Sequence, residues 1–196
     1  MKKYIIIIVS MLTLFVSSCS TDYSLDKSVF IEDVTNPGLP IYSEWGYNTF
    51  GAYIDREKFI SENSQLPAKI IVNADTLNLT LKGVMNSGYP VTLKFSIKGF
   101  APADYPDLIM LNDTTIDLKN SKCTVTLNNY GKSNVLKIIT GTLQFKRVQN
   151  LYVDKELSKA ILSGYFSFKT FIQNEPVAIS NGRFDLGIGY DNFYNY

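Results

Sequence analysis

Apolar and polar residues alternate with a period of two along most of this chain, and that alternation leaves little choice of fold. Leu77-Asn78-Leu79-Thr80-Leu81-Lys82 puts three leucines on one side and polar groups on the other. Val91-Thr92-Leu93-Lys94-Phe95-Ser96-Ile97-Lys98 repeats the pattern. Successive side chains of a strand point to opposite faces, so both segments suit strands with one face in a core and one in water. Further strands are expected over 28–34, 47–54, 68–73, 115–118, 123–128, 134–147, 160–172 and 176–189. Turn-forming residues separate them, as in Asn86-Ser87-Gly88, Asn128-Asn129-Tyr130-Gly131-Lys132 and Gln173-Asn174-Glu175. About ten short strands so spaced predict an all-β domain built as an antiparallel β-sandwich, with a flattened up-and-down β-barrel as the alternative. Only 102–111 and 149–160 leave room for a short helix, and Pro102 and Pro106 restrict the first. No internal repeat or second domain interrupts the pattern.

The beginning of the chain breaks it. Lys2 and Lys3 precede an apolar run from Ile5 to Val16, and Val16-Ser17-Ser18-Cys19 closes that run with small residues before a thiol. A run of roughly a dozen residues suits the core of a secretory signal and falls short of the ~20 needed to span a bilayer. The arrangement resembles the bacterial lipoprotein signal. The resemblance implies cleavage before Cys19 and acylation of Cys19, where two or more acyl chains hold a protein on a membrane that one chain holds only marginally. The chain then divides into a signal peptide over 1–18, a tether over 19–27 and a single β domain over 28–196. Ser20 after the cysteine, in place of Asp, implies by the same resemblance the outer membrane. The acidic run that marks surface export in Bacteroidota-type lipoproteins is reduced to Asp22, so the periplasmic and cell-surface faces both stay open.

Composition narrows the chemistry. Removing residues 1–18 from the 196 leaves 178, enough for one domain with a sizeable core. The 19 basic and 18 acidic residues become 17 against 18 once Lys2 and Lys3 are gone, and no basic patch offers itself to nucleic acid. With lipid on Cys19, Cys123 is left without a disulfide partner. It alternates with Val125 and Leu127 and is expected to be a small buried apolar residue. There is no histidine, which rules out imidazole acid–base chemistry, histidine triads and histidine-rich zinc sites. No calcium-binding acidic loop or dinucleotide-type glycine motif is present, so neither metal nor cofactor is expected.

Three groups of residues invite a functional reading. The first is the segment from Ile41 to Tyr53, which holds the only Trp among three Tyr and a Phe, with Glu44, Asp55 and Arg56 close by. Sugar rings stack on exposed aromatic faces and hydrogen-bond to carboxylates and amides, so Trp45, Tyr42 and Tyr47 have the materials of a glycan platform. The sequence favours packing instead. Phe50, Ala52 and Ile54 share one strand parity and Tyr47, Thr49 and Tyr53 the other, and Trp45 is expected inside. The second group is the aromatic tail from Tyr190 to Tyr196, whose four aromatics could form a binding edge but are expected to complete a last strand or lie across the sheet. The third is the carboxylate pairs Glu44 with Asp55 and Asp113 with Asp117, the raw material of a glycosidase if the fold brings either pair together.

The closing stretch, Gly164-Tyr165-Phe166-Ser167-Phe168 followed by Val177-Ala178-Ile179-Ser180-Asn181-Gly182-Arg183-Phe184-Asp185, resembles the final hairpin of small Bacteroidota-type outer-membrane lipoproteins of unknown function. There a G-x-F-x-F strand pairs with a V-x-I-[ST]-x-G-x-F-[DE] strand. The resemblance implies a close approach or kink at Gly164 and a bulge or turn at Gly182, and it carries no active-site residue. That lineage also attaches O-glycans at Asp-[Ser/Thr] before an apolar residue or Thr, which implies Thr76 and Thr114 as acceptors. The expected role is that of a lipid-anchored, non-catalytic binding or accessory protein of the cell envelope, with a glycan or an envelope protein as partner. The alternative is a His-free carboxylate glycoside hydrolase.

Overall fold

A computed structural model describes residues 27–61, 66–129 and 131–196. Cys19, the signal segment and most of the tether lie outside the described residues. The fold is all-β, with twelve strands among the described residues joined in one sheet that does not close into a barrel. They are β1 (Thr49–Ile54), β2 (Glu57–Ser61), β3 (Ala68–Asn73), β4 (Thr76–Met85), β5 (Pro90–Lys98), β6 (Thr114–Asp117), β7 (Cys123–Asn129), β8 (Lys132–Val135), β9 (Lys137–Val153), β10 (Glu156–Ile172), β11 (Glu175–Ile188) and β12 (Phe193–Asn195). The spatial order is β6-β9-β10-β11-β1-β2-β4-β5-β7-β8, with β3 on the edge of β4 and β12 on β3. All pairings are antiparallel except β12 with β3.

The sheet folds over so that its two halves share a core, which gives the sandwich-like form. Phe95 on β5 meets Phe166 and Phe168 on β10 edge-on, at centroid distances of 5.5 and 6.3 Å. Phe145 and Phe184 make a similar contact within the second half. The alternating leucines of β4, Leu77, Leu79 and Leu81, are fully buried, as their parity predicts. The hairpin glycines do what the sequence motif implies. A Cβ on Gly164 would overlap the Gln144 carbonyl, and one on Gly182 would overlap that of Phe166. The pairing of β10 with β11 shifts register between Phe166 and Phe168, a bulge that Asn181 completes with a φ of 52°.

Three expectations need correction. The segment 149–160 holds no helix: it is the end of β9, the turn Asp154-Lys155 and the start of β10. Both turn residues have positive φ, 51° and 70°, the signature of a tight hairpin turn, and neither is the glycine that would have announced it. The segment 28–34 is not a strand but an irregular strap with one isolated bridge from Glu32 to Pro40. Asp33 bends it by accepting from the Thr35 N–H and hydroxyl and the Asn36 amide, which competes with strand pairing. Strand length also differs from expectation: the strand expected over 134–147 is divided at Leu136 between β8 and β9, and β9 and β10 run 17 residues each, whereas β11 has its expected 14. The other permitted helix exists as a short 3-10 helix over Tyr105–Leu111. Asp104 caps it and Asp107 reaches back to the cap.

Candidate functional site

The strap over 28–48 lies on the outer face of β9, β10 and β11, and two side chains of β11 hold it there. Arg183 and Asp185 are two apart and so share that face. Arg183 binds Asp33 through a short ion pair in which both side chains are largely buried. Asp185 is only 1% exposed, and it gathers the loop that follows. Its carboxylate accepts the amide N–H groups of Trp45 (3.2 Å), Gly46 (2.8 Å) and Tyr47 (3.1 Å), the Ser163 hydroxyl (2.9 Å) and, most closely, the Ser43 hydroxyl. Five donors converge on one side chain. Gly46 permits the turn that aims three successive amides inward, with φ at 75° and Ile161 packed beneath it. Asn48 closes the loop by accepting the Gly187 N–H at 2.8 Å.

The loop so fixed carries Trp45 outward. The indole is 75% exposed, and among the described residues it packs against no other ring. The expectation of a buried Trp45 is therefore wrong. Asp185 holds the Trp45, Gly46 and Tyr47 amides against the outer face of the sheet, and on that backbone the indole faces water. Tyr42 stacks on Tyr165 of β10 rather than on Trp45, with centroids 4.5 Å apart and planes 22° from parallel. Its hydroxyl donates to Glu44 at 2.8 Å. Burial and then the Glu44 carboxylate push the Tyr42 phenol well above its ordinary range, so it stays protonated as that donor. Burial also raises Tyr165, with Arg183 opposing. Tyr47 is half-buried, and its backbone serves the latch.

Glu44, next to Trp45 in the chain, centres a connected set of polar groups. Arg147 on β9 reaches Glu44 at 3.5 Å and donates to Gln149 at 3.1 Å, while Gln149 donates to the Glu44 carbonyl at 2.9 Å. An exposed ring, a tyrosine stack, a carboxylate, a guanidinium and a carboxamide thus share one surface on a fixed backbone. Hydrogen bonding and stacking are what such a surface offers.

The other predicted positions fall elsewhere. Glu44 precedes β1 and Asp55 follows it, so the length of that strand, roughly 20 Å, separates them. Asp113 and Asp117 stand at opposite ends of β6, about 13 Å apart along the strand. Neither carboxylate pair is brought together. Thr76 starts β4 and donates to Asp75, and Thr114 starts β6 and donates to the Leu111 carbonyl. Cys123 is half-buried against the core, where desolvation pushes its thiol up to about 11. The aromatic tail divides: Phe193 is buried on β12, whereas Tyr190 and Tyr196 are exposed. The residue that sequence reasoning missed is Asp185. It ends the hairpin pattern as one more polar position of a strand, and nothing local ties it to a loop some 140 residues earlier. No protein-family model matches this chain, and no curated protein or solved structure is significantly similar to it.

Proposed function

We propose that this chain is a lipid-anchored binding protein of the bacterial outer membrane, held by acyl groups on Cys19, and that it binds a glycan through the Trp45 surface without transforming it. The observation that carries the reading is the exposure of Trp45 on a loop latched to Asp185 by three backbone amides and the Ser43 hydroxyl. Ordering a loop on binding opposes affinity, and a loop already ordered avoids that cost. An exposed indole supplies a flat apolar face for a sugar ring, and Glu44, Arg147 and Gln149 supply donors and acceptors for its hydroxyls. The tether from Cys19 to Lys27 reaches at most about 30 Å, so the domain would work close to the membrane.

The test is a titration with neutral oligosaccharides of different backbone, such as maltoheptaose, cellohexaose and mannohexaose. The account expects saturable binding of at least one, no products, and loss of that binding in Trp45→Ala. Turnover of any of them, or binding unaffected by Trp45→Ala, contradicts the proposal. Attachment is tested separately. Cys19→Ser should abolish palmitate labelling and release the chain from the membrane fraction, and a variant still labelled and sedimenting with membranes counts against the anchor.

A further inference from the structure

The far end of the molecule is open, and its opening has a chemistry of its own. β8 pairs with β7 alone and β9, which begins just past Leu136, pairs with β10 and β6, and no ladder joins β8 to β9. Between that seam and the Gln173-Asn174 turn lies a cleft of about 1000 Å³. A recess of about 240 Å³ adjoins it and shares Leu127, Asn129 and Ile172. Pockets for small ligands run from roughly 300 to 1,000 Å³, so the space suffices for a few sugar units. The Trp45 loop is latched at Asp185, about ten strand residues and roughly 30 Å along β11 from this end. The two surfaces are therefore separate.

What lines the cleft selects for anionic, hydroxyl-rich molecules. Lys132 and Lys137 supply two ammonium groups, Asn129, Asn134, Gln173 and Asn174 supply four carboxamides, and no carboxylate of the described residues lines the main cleft. Phe171 lies in its wall 42% exposed, a ring open to stacking. The Asn129 side-chain oxygen is buried at the junction of cleft and recess, with no hydrogen-bond partner among the described residues. A buried acceptor of this kind is costly until a donor reaches it, and a ligand hydroxyl is such a donor. The acids are confined to the recess, where Asp55 and Glu57 can accept further hydroxyls. Charge is thus sorted, with cations toward one side and acceptors toward the other.

From this sorting we infer a second binding site at the open end, specific for acidic saccharides. The sugar carboxylate pairs with Lys132 and Lys137, a pyranose face rests on Phe171, and a hydroxyl donates to Asn129. Charge-assisted hydrogen bonds to the two lysines make the carboxylate the discriminating group. The inference stands apart from the Trp45 reading, because it involves different residues and a charged ligand.

Isotope-labelled protein titrated with trigalacturonate and sialyllactose, beside their neutral counterparts galactotriose and lactose, tests it. At least one acidic sugar should shift amide resonances of 127–129, 132–137 and 171–174 and bind at least fivefold more tightly than its neutral counterpart. The double variant Lys132→Ala, Lys137→Ala should weaken it at least fivefold and leave the remaining spectrum unchanged, since both lysines are exposed. Phe171→Ala should weaken acidic and neutral sugars alike. Equal binding of acidic and neutral sugars, shifts confined to the Trp45 loop, or no binding by either acidic probe would overturn the inference. Failure here leaves the Trp45 titration untouched, so the two readings fail separately.

Discussion

At the scale of single residues, Trp45 and Asp185 divide the work: one offers a surface and the other fixes it. An exposed ring contributes little to stability, so Trp45→Ala should change the unfolding free energy by no more than about 0.5 kcal/mol while removing binding. Asp185 is the reverse case. Truncating it to Ala leaves three amides and two hydroxyls without their acceptor, each worth about 1–3 kcal/mol if kept buried. The loop can lift its four donors into water, leaving only the Ser163 hydroxyl of β10 behind, which limits the loss to about 3–5 kcal/mol. Chemical denaturation of Asp185→Ala should show that loss, together with faster amide exchange at Trp45, Gly46 and Tyr47. An unchanged midpoint would mean that the latch is not what holds the loop. Neither role was legible from the sequence. The aromatic neighbours of Trp45 suit a packed strand as well as a platform, and Asp185 differs from any outward strand residue only through partners that folding brings from far away.

At the scale of elements, the strands were legible wherever one face is buried and the other wet, because burial of one face forces period-two alternation. β3, β4, β5 and β7 fall within a residue or so of their expected bounds, apart from the far end of β4. Legibility failed where tight turns use residues without a glycine signal. Asp55-Arg56 and Asp154-Lys155 each place two non-glycine residues at positive φ, a conformation that L side chains resist, whereas Gln173-Asn174 does the same but was legible as a turn through its Asn. Replacing Asp154-Lys155 by Asn-Gly should therefore stabilise the protein, by roughly 0.5–1 kcal/mol, and raise the melting temperature by a few degrees. A fall in melting temperature would mean that these side chains make contacts outweighing the strain they carry. The 28–34 strap escaped for a different reason, since its apolar residues mimic a strand while Asp33 turns the backbone through hydrogen bonds to Thr35 and Asn36.

At the scale of the whole molecule, an open sheet wrapped over one core presents two separate surfaces, one latched on its outer face and one at its unclosed end. The strap that builds the first surface should respond to pH through Asp33. The Thr35 hydroxyl and the Asn36 amide, then the Thr35 N–H and Arg183, hold the Asp33 carboxyl well below its ordinary 3.8. A carboxyl lowered in the folded state adds stability above its unfolded pKa and loses it as pH falls toward the folded value. Asp33→Asn should thus be less stable than the parent at pH 7, with the difference shrinking below about pH 4; a difference that grows on acidification would contradict the assigned role. The central claim, that Trp45 is a ligand-facing ring held out in water, is tested most directly by acrylamide quenching of the chain's only tryptophan, with and without the oligosaccharide that binds. The account predicts quenching near that of free tryptophan in the unliganded protein and clear protection once the ligand is present. An indole already shielded before ligand is added, or one that stays equally exposed in the complex, would contradict it.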